Sequence, residues 1–164
     1  ARGPLSELAR LFAARGEHVT IITTPANAAL INKTTSSGHP IPIHVIPFPA
    51  KEVGLPEGFE NQYSATDNET ATKLHNGINL MQPAIEHVII TRRPDCIVSD
   101  TFYPWTAELA RRLSIPRLAF EGYCIFAKAM YEAIRNPNSP HLKVKSDYDP
   151  FVIPDLPHPI TMTR

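Results

Sequence analysis

The chain has 164 residues, of which 43% are hydrophobic and 20% are charged, a composition typical of a globular domain and unlike that of a disordered chain. Sixteen basic residues balance sixteen acidic residues, and this balance argues against a nucleic acid or an anionic membrane as the partner. Cys96 and Cys124 have no metal-ligand spacing, which argues against a structural metal and a disulfide scaffold and predicts a cytoplasmic protein. No apolar run approaches the roughly 18 residues of a membrane span.

The first part of the chain alternates helix and strand patterns. Leu5, Leu8 and Leu11 recur at helical spacing, which predicts a helix over residues 4–14. Residues 18–23 are apolar and β-branched and predict a buried strand; a short helix at 25–32 and a second strand at 41–48 follow. Residues 49–64 are rich in Pro, Gly and Glu and predict a long surface loop of the kind that shapes pockets.

The same alternation continues to residue 134. Residues 66–91 have helical apolar spacing with an expected kink at Pro83. The later predicted elements are a strand at 95–100, a helix at 105–113, a strand at 117–120 and a helix at 124–134. The proline-rich segment 136–164 shows no period and predicts an extended connector. Alternating strands and helices predict an α/β fold, with a parallel sheet covered by helices on both faces.

Ligands of open parallel sheets bind beyond the carboxyl ends of the strands. That rule selects the turn after Thr23 and the segments 99–105 and 121–126. Only 99–105 joins an acid, Asp100, to a run of aromatic residues that could form the wall of an apolar ligand site. Two simpler interpretations stay open: Asp100 is only the N-cap of the following helix, and the aromatic residues belong to the core. The chain lacks the glycine-rich phosphate-binding motifs and the G-x-S-x-G motif of hydrolases.

Four stretches of the sequence also match a known family. They read PLSELARLFAARGEHVTIITTPANA, FPAKEVGLPEGFEN, PDCIVSDTFYPWTAELARRLSIPRLAF and FVIPDLPHPITMTR. In these stretches the chain resembles the N-terminal half of a plant family-1 UDP-glycosyltransferase, of the subgroup that glycosylates flavonoids and triterpenes. The resemblance implies a GT-B enzyme with two Rossmann-like domains, the first binding the acceptor and the second the UDP-sugar. Residues 1–164 would then form one incomplete acceptor-binding domain, with its first strand missing, 136–164 as the connector and the UDP-sugar-binding domain absent.

The resemblance further implies roles for individual residues. In the family a His acts as general base on the acceptor hydroxyl and an Asp supports it, and that Asp maps onto Asp100. The His should stand in a Gly-His step before the first helix, whereas here Gly3 runs directly into Pro4. Phe102, Tyr123 and Phe126 are expected to contact the acceptor.

The function implied is an inverting transfer of a hexose from a UDP-sugar to a hydroxyl of a flavonoid, a triterpenoid or a similar metabolite. The UDP-sugar is a co-substrate, and no cofactor or metal is expected. This chain would supply the acceptor-binding part and would be inactive alone. The alternatives are a catalytically inactive small-molecule binding module and an unrelated flavodoxin-like or hydrolase domain.

Overall fold

A computed structural model describes residues 3–34, 40–122, 124–135 and 139–164. The chain divides into two compact units, Ala1–Phe120 and Glu121–Arg164. The elements of the first unit are α1 (Pro4–Ala13), β1 (Ile21–Thr23), α2 (Pro25–Thr34), β2 (Ile43–Val45), α3 (Asn68–Leu80), α4 (Gln82–Arg92), β3 (Ile97–Asp100), α5 (Trp105–Leu113) and β4 (Arg117–Phe120). The elements of the second unit are α6 (Ile125–Ile134), β5 (Phe151–Ile153) and β6 (Ile160–Met162).

The strands of the first unit form two parallel pairs. β1 pairs with β2, with Ile21 opposite Ile43, and β3 pairs with β4, with Ile97 opposite Arg117. Over the described residues no strand ladder joins one pair to the other. The predicted α/β class with parallel strands is therefore confirmed, but the sheet consists of two short pieces.

The two strand pairs share one layer of side chains. Ile22 of β1 and Ile85 of α4 pack against two buried clusters. The first cluster consists of Ile89, Ile97, Leu109 and Ala110, and the second of Ile46, Met81 and Val88. A third cluster, Ala50, Leu55 and Leu74, lies between α3 and the loop after β2. These contacts place the loops that follow β1, β2 and β3 on one scaffold.

The segment predicted as one kinked helix over 66–91 is two helices, α3 and α4, which meet at Met81. Pro83 lies in the first turn of α4. Proline has no N–H to donate and its ring blocks the carbonyl four residues earlier, so the helix ends and restarts here. Asp67 begins α3 as its N-cap, because its Oδ1 accepts the backbone N–H of Thr70 at 2.7 Å.

Each strand predicted at 18–23, 41–48 and 95–100 forms, but it is shorter than the pattern indicated. β2 illustrates the reason, since Pro42 and Pro47 flank its three paired residues and a proline cannot donate a ladder hydrogen bond. The helix at 105–113 and the strand at 117–120 have the predicted bounds. The helix predicted at 25–32 extends to Thr34, and α6 begins at Ile125 with Cys124 as its N-cap.

The prediction that 136–164 is an extended connector is wrong for the residues that the structure describes. A 3-10 turn at Pro140–Leu142 is followed by the antiparallel pair β5 and β6. Phe151 and Ile153 are buried on either side of the exposed Val152, which is the two-residue period of a half-buried strand. Three residues are too few to show a two-residue period in a segment rich in proline, so the sequence pattern did not indicate this strand. No helix of the described residues is long and apolar enough to cross a membrane.

Candidate functional site

The candidate acid, Asp100, is the last residue of β3 and closes the turn that follows. Its Oδ1 accepts the backbone N–H of Phe102 at 3.0 Å, and its carbonyl oxygen accepts the N–H of Tyr103 at 3.1 Å. α5 begins at Trp105 with Pro104 in the N-cap position. The interpretation of Asp100 as the N-cap of α5 is therefore wrong: its carboxylate bonds the turn instead of the helix.

A chain of polar side chains fixes the end of β3. The hydroxyl of Thr106 donates to the carbonyl oxygen of Tyr103 at 2.6 Å, so the hydroxyl of Ser99, 2.8 Å from Thr106 Oγ1, must be the donor of that second bond. Arg117 Nε in turn donates to Ser99 Oγ at 3.0 Å, and Arg117 Nη2 donates to the carbonyl oxygen of Asp100 at 3.2 Å. Each hydroxyl proton has an acceptor, and the Arg117 guanidinium bonds both the Ser99 side chain and the Asp100 backbone, so these contacts stabilise the end of β3.

The aromatic residues of the turn divide into exposed and packed rings. Phe102 is 44% exposed. Tyr103 stacks edge-on against Trp105 with 6.3 Å between ring centroids, and Trp105 packs against the first buried cluster. Burial, with a smaller contribution from the negative charge of Asp100, raises the pKa of the Tyr103 phenol. Among these three rings Phe102 offers the most surface to a ligand, while Trp105 contributes to the core.

A cavity of about 430 Å³ lies beyond the carboxyl ends of β1 and β2. Its lining residues are Pro25, Ala26, Pro47, Phe48, Ala50, Glu57, Gly58 and Glu60. The first two lie in the first turn of α2, just after β1, and the other six lie in the segment between β2 and α3. An apolar wall with a few polar groups is typical of small-molecule sites, and the position agrees with the rule that selected the turn after Thr23.

The loop after β2 is tied to the first turn of α2. Glu60 Oε2 accepts the backbone N–H of Ala26 at 2.7 Å. The Asn27 side-chain amide donates to the carbonyl oxygen of Glu60 at 3.0 Å and to Thr24 Oγ1 at 2.9 Å. Sequence reasoning missed both Glu60 and Arg117, because contacts between residues so far apart leave no local pattern.

The other predicted site residues lie elsewhere. Phe126 is in α6, in the second unit, where it is 58% exposed. Tyr123 lies outside the described residues. Asp100 has no histidine partner within the ranges that the structure describes, whereas the resemblance placed a histidine beside it in the complete enzymes.

The fold defines a Rossmann-like α/β unit in which carboxylates follow the strand ends: Glu57 and Glu60 lie beyond β1 and β2, and Asp100 ends β3. No protein-family model matches the chain. UDP-glucosyl transferase 73CC6 of Saponaria officinalis is 55% identical over 161 residues, which cover 98% of this chain and 33% of that protein. Scopoletin glucosyltransferase of Nicotiana tabacum is 41% identical over 165 residues, which cover 98% of this chain and 34% of that protein.

A solved structure agrees with the sequence comparison. The crystal structure of UGT73P12 of Glycyrrhiza uralensis, complexed with glycyrrhetinic acid 3-O-monoglucuronide, matches with a TM-score of 0.76 and 37% identity. The match covers 97% of this chain and 33% of that structure. The chain is thus a relative of the plant UDP-glycosyltransferases, and it spans about one third of the length of the relatives it matches.

Proposed function

We propose that this chain forms the acceptor-binding part of a UDP-sugar-dependent glycosyltransferase that transfers a hexose, with inversion, to a hydroxyl of a plant secondary metabolite. The observation that carries this proposal is the 55% identity over 98% of the chain to a UDP-glucosyl transferase. The proposed co-substrate is a UDP-sugar, and no cofactor is needed. The proposed location is the cytoplasm, on the basis of two cysteines without disulfide or metal spacing.

The names of the relatives support a polycyclic acceptor. They include Soyasapogenol B glucuronide galactosyltransferase of Glycine max and UDP-glucose flavonoid 3-O-glucosyltransferase 7 of Fragaria ananassa. Triterpenoids and flavonoids are rigid, largely apolar molecules that carry hydroxyls. A cavity with apolar walls and a few carboxylates suits such molecules, because apolar contact supplies most of the binding and polar groups select the orientation.

In the proposed mechanism the acceptor oxygen attacks C1 of the sugar while the bond between C1 and UDP breaks. A hydroxyl is a weak nucleophile until a base takes its proton. A carboxylate beside an imidazole base orients the ring and stabilises the cation that forms. We assign this supporting role to Asp100. Its Oδ1 accepts the N–H of Phe102 and lies 3.5 Å from the hydroxyl of Thr101, and its carbonyl oxygen is bonded by Arg117; among the described residues Oδ2 is therefore the oxygen left to receive the N–H of a base.

Phe102 is the proposed acceptor contact in the same turn, since its ring is exposed two residues after the acid. Phe126 and Tyr123 remain proposed contacts on the strength of the family resemblance alone. The contacts at Phe102 and Phe126 are tested by the acceptor KM of Phe102→Ala and Phe126→Ala, which should rise if each ring touches the acceptor. An aromatic ring that stacks on the acceptor contributes about 0.5–1.5 kcal/mol beyond its buried area.

The experiment grafts residues 4–164 in place of the matching residues of scopoletin glucosyltransferase, so that the recipient keeps its own residues before the first helix, and measures transfer from UDP-glucose to scopoletin, flavonols and triterpenoids. We expect a glucoside product, and Asp100→Asn should lower kcat by about a hundredfold or more. Asp95→Asn, at the exposed beginning of the same strand segment, is the matched control and should keep the parental kcat.

A folded chimera that binds these molecules, as followed by Trp105 fluorescence, but glycosylates none of them would favour the inactive binding module. A chimera with a cooperative thermal transition that neither binds nor glycosylates any of them would refute the proposed function.

A further inference from the structure

The carboxylate of Glu60 occupies an unusual place, at the N-terminal end of a helix that lies 34 residues earlier in the chain. We propose that Glu60 is a positioning residue: it clamps the loop after β2, residues 49–61, onto the first turn of α2 and thereby holds the wall of the cavity in the shape that binds the acceptor. This inference rests on the proposed function, and it gives a structural reason for the affinity of the acceptor-binding part for its acceptor.

The helix end explains why a carboxylate is needed. The first N–H groups of a helix have no partner within the helix, and Pro25 has no N–H, so Ala26 is the first donor to be satisfied. The side chain of the N-cap residue normally accepts from this turn. Here the hydroxyl of Thr24 is engaged by the Asn27 amide, and Glu60 Oε2 accepts from Ala26 at 2.7 Å. A negative charge at this end is also favoured by the helix dipole.

A second hydrogen bond also joins Glu60 to the first turn of α2. The Asn27 side chain donates to the backbone carbonyl of Glu60 at 3.0 Å, so the side chain and the main chain of Glu60 are both bonded to α2. The beginning of the loop has a separate anchor, because Ala50 and Leu55 are buried against Leu74 of α3. Glu60 thus determines where the far end of the loop meets the helix.

The clamp and the cavity share residues. Ala26 and Glu60 both line the cavity, and Glu57 and Gly58 line it from the turn just before the clamp. Gly58 has a positive φ of 80°, a conformation that makes this turn depend on glycine. Without the clamp, residues 57–60 would move away from α2 and the cavity would widen. Asp100 lies on the other strand pair, so its chemistry should be little affected.

Hydrogen exchange of the Ala26 amide in the 164-residue chain reads the clamp directly. Glu60→Ala removes both the acceptor and the charge and should speed this exchange about tenfold, the effect of losing one partly buried charge-assisted bond. Glu60→Gln keeps an acceptor oxygen without the charge, so its Ala26 exchange rate should lie between those of Glu60→Ala and the parent. Glu52→Ala removes an exposed charge from the same loop and should leave the Ala26 amide unchanged.

Steady-state kinetics of the grafted enzyme measure how the clamp affects acceptor binding. Glu60→Ala should raise the acceptor KM about three- to tenfold, since binding energy is lost to ordering the loop, while kcat stays within about twofold. Unchanged exchange at Ala26 overturns the clamp. Faster exchange with an unchanged KM overturns its role in acceptor binding. A folded parental graft that neither binds nor glycosylates any acceptor refutes the proposed function, and the exchange result then decides the clamp alone.

Discussion

Gly77 of α3 lies against the ring of Phe48, which lines the cavity. A Cβ added at residue 77 would lie 2.7 Å from Cε2 of that ring and closer still to Cζ. Carbon atoms in contact prefer about 3.5–4.0 Å, so Gly77→Ala must displace the ring of Phe48. The ring would move toward the cavity or into the neighbouring core.

Two opposing terms determine the size of the effect. Replacing glycine by alanine inside a helix ordinarily stabilises by about 1 kcal/mol, and overpacking a filled site costs about 1–3 kcal/mol. We therefore expect Gly77→Ala to change the free energy of unfolding by between about 0 and −2 kcal/mol. In a Phe48→Ala background the obstacle is gone, and the same change should stabilise by about 1 kcal/mol.

Urea denaturation of the four proteins of this cycle measures the coupling between residues 48 and 77. The expected coupling energy is about 1–3 kcal/mol, the overpacking cost itself. Asn79→Ala, at an exposed position of the same helix, is the control and should not couple to Phe48. If Gly77→Ala stabilised the parent and the Phe48→Ala protein equally, the argument from close packing would be refuted.

Three further predictions concern the strand ends and the core. Arg117→Met removes both bonds to the end of β3 and should lower the free energy of unfolding by about 1–3 kcal/mol in urea titrations; Arg117→Lys should restore little, because an ammonium cannot form the same fork, and full stability of Arg117→Met would contradict the network. Leu109→Ala, at a side chain 1% exposed, should cost about 2–5 kcal/mol, whereas the half-exposed Leu118→Ala should cost about 0.5 kcal/mol; equal costs would show that the first cluster is not the core. The raised pKa of Tyr103 means that the folded chain holds this proton longer than the unfolded chain, so stability is fully present below about pH 10 and falls as the pH rises from there through the folded pKa. Tyr103→Phe should remove this alkaline loss in thermal melts, and Tyr63→Phe, at a ring 90% exposed, should not.

The sequence predicted the α/β class and several elements because their patterns are local. The helix Trp105–Leu113 has apolar residues on one face, and the strand Arg117–Phe120 is a short run between a helix and a turn. Strand lengths were overestimated where prolines stop the ladder. The β5–β6 pair was missed because three residues are too few to show a period among prolines.

The sequence predicted only the part of the candidate site that local patterns show. The rule for strand ends selected the segment 99–105 with Asp100, the family resemblance implied Phe102, and the structure places both residues in one turn. The rule did not reveal that the Asp100 carboxylate accepts the N–H of Phe102, because a side-chain bond within a turn leaves no periodic pattern in the sequence. Glu60 was missed since its partner is 34 residues away, and only the fold brings them together.

The separation of the parallel strands into two pairs has a consequence for how such a protein can change. The cavity wall belongs to β1 and β2, and the Asp100 turn belongs to β3 and β4, with no ladder between them over the described residues. Substitutions that reshape the wall can therefore accumulate without altering the register that places the acid. Ile22 and Ile85 are the exceptions, because each packs against both the first and the second cluster, and a library that diversifies acceptor preference should leave them unchanged.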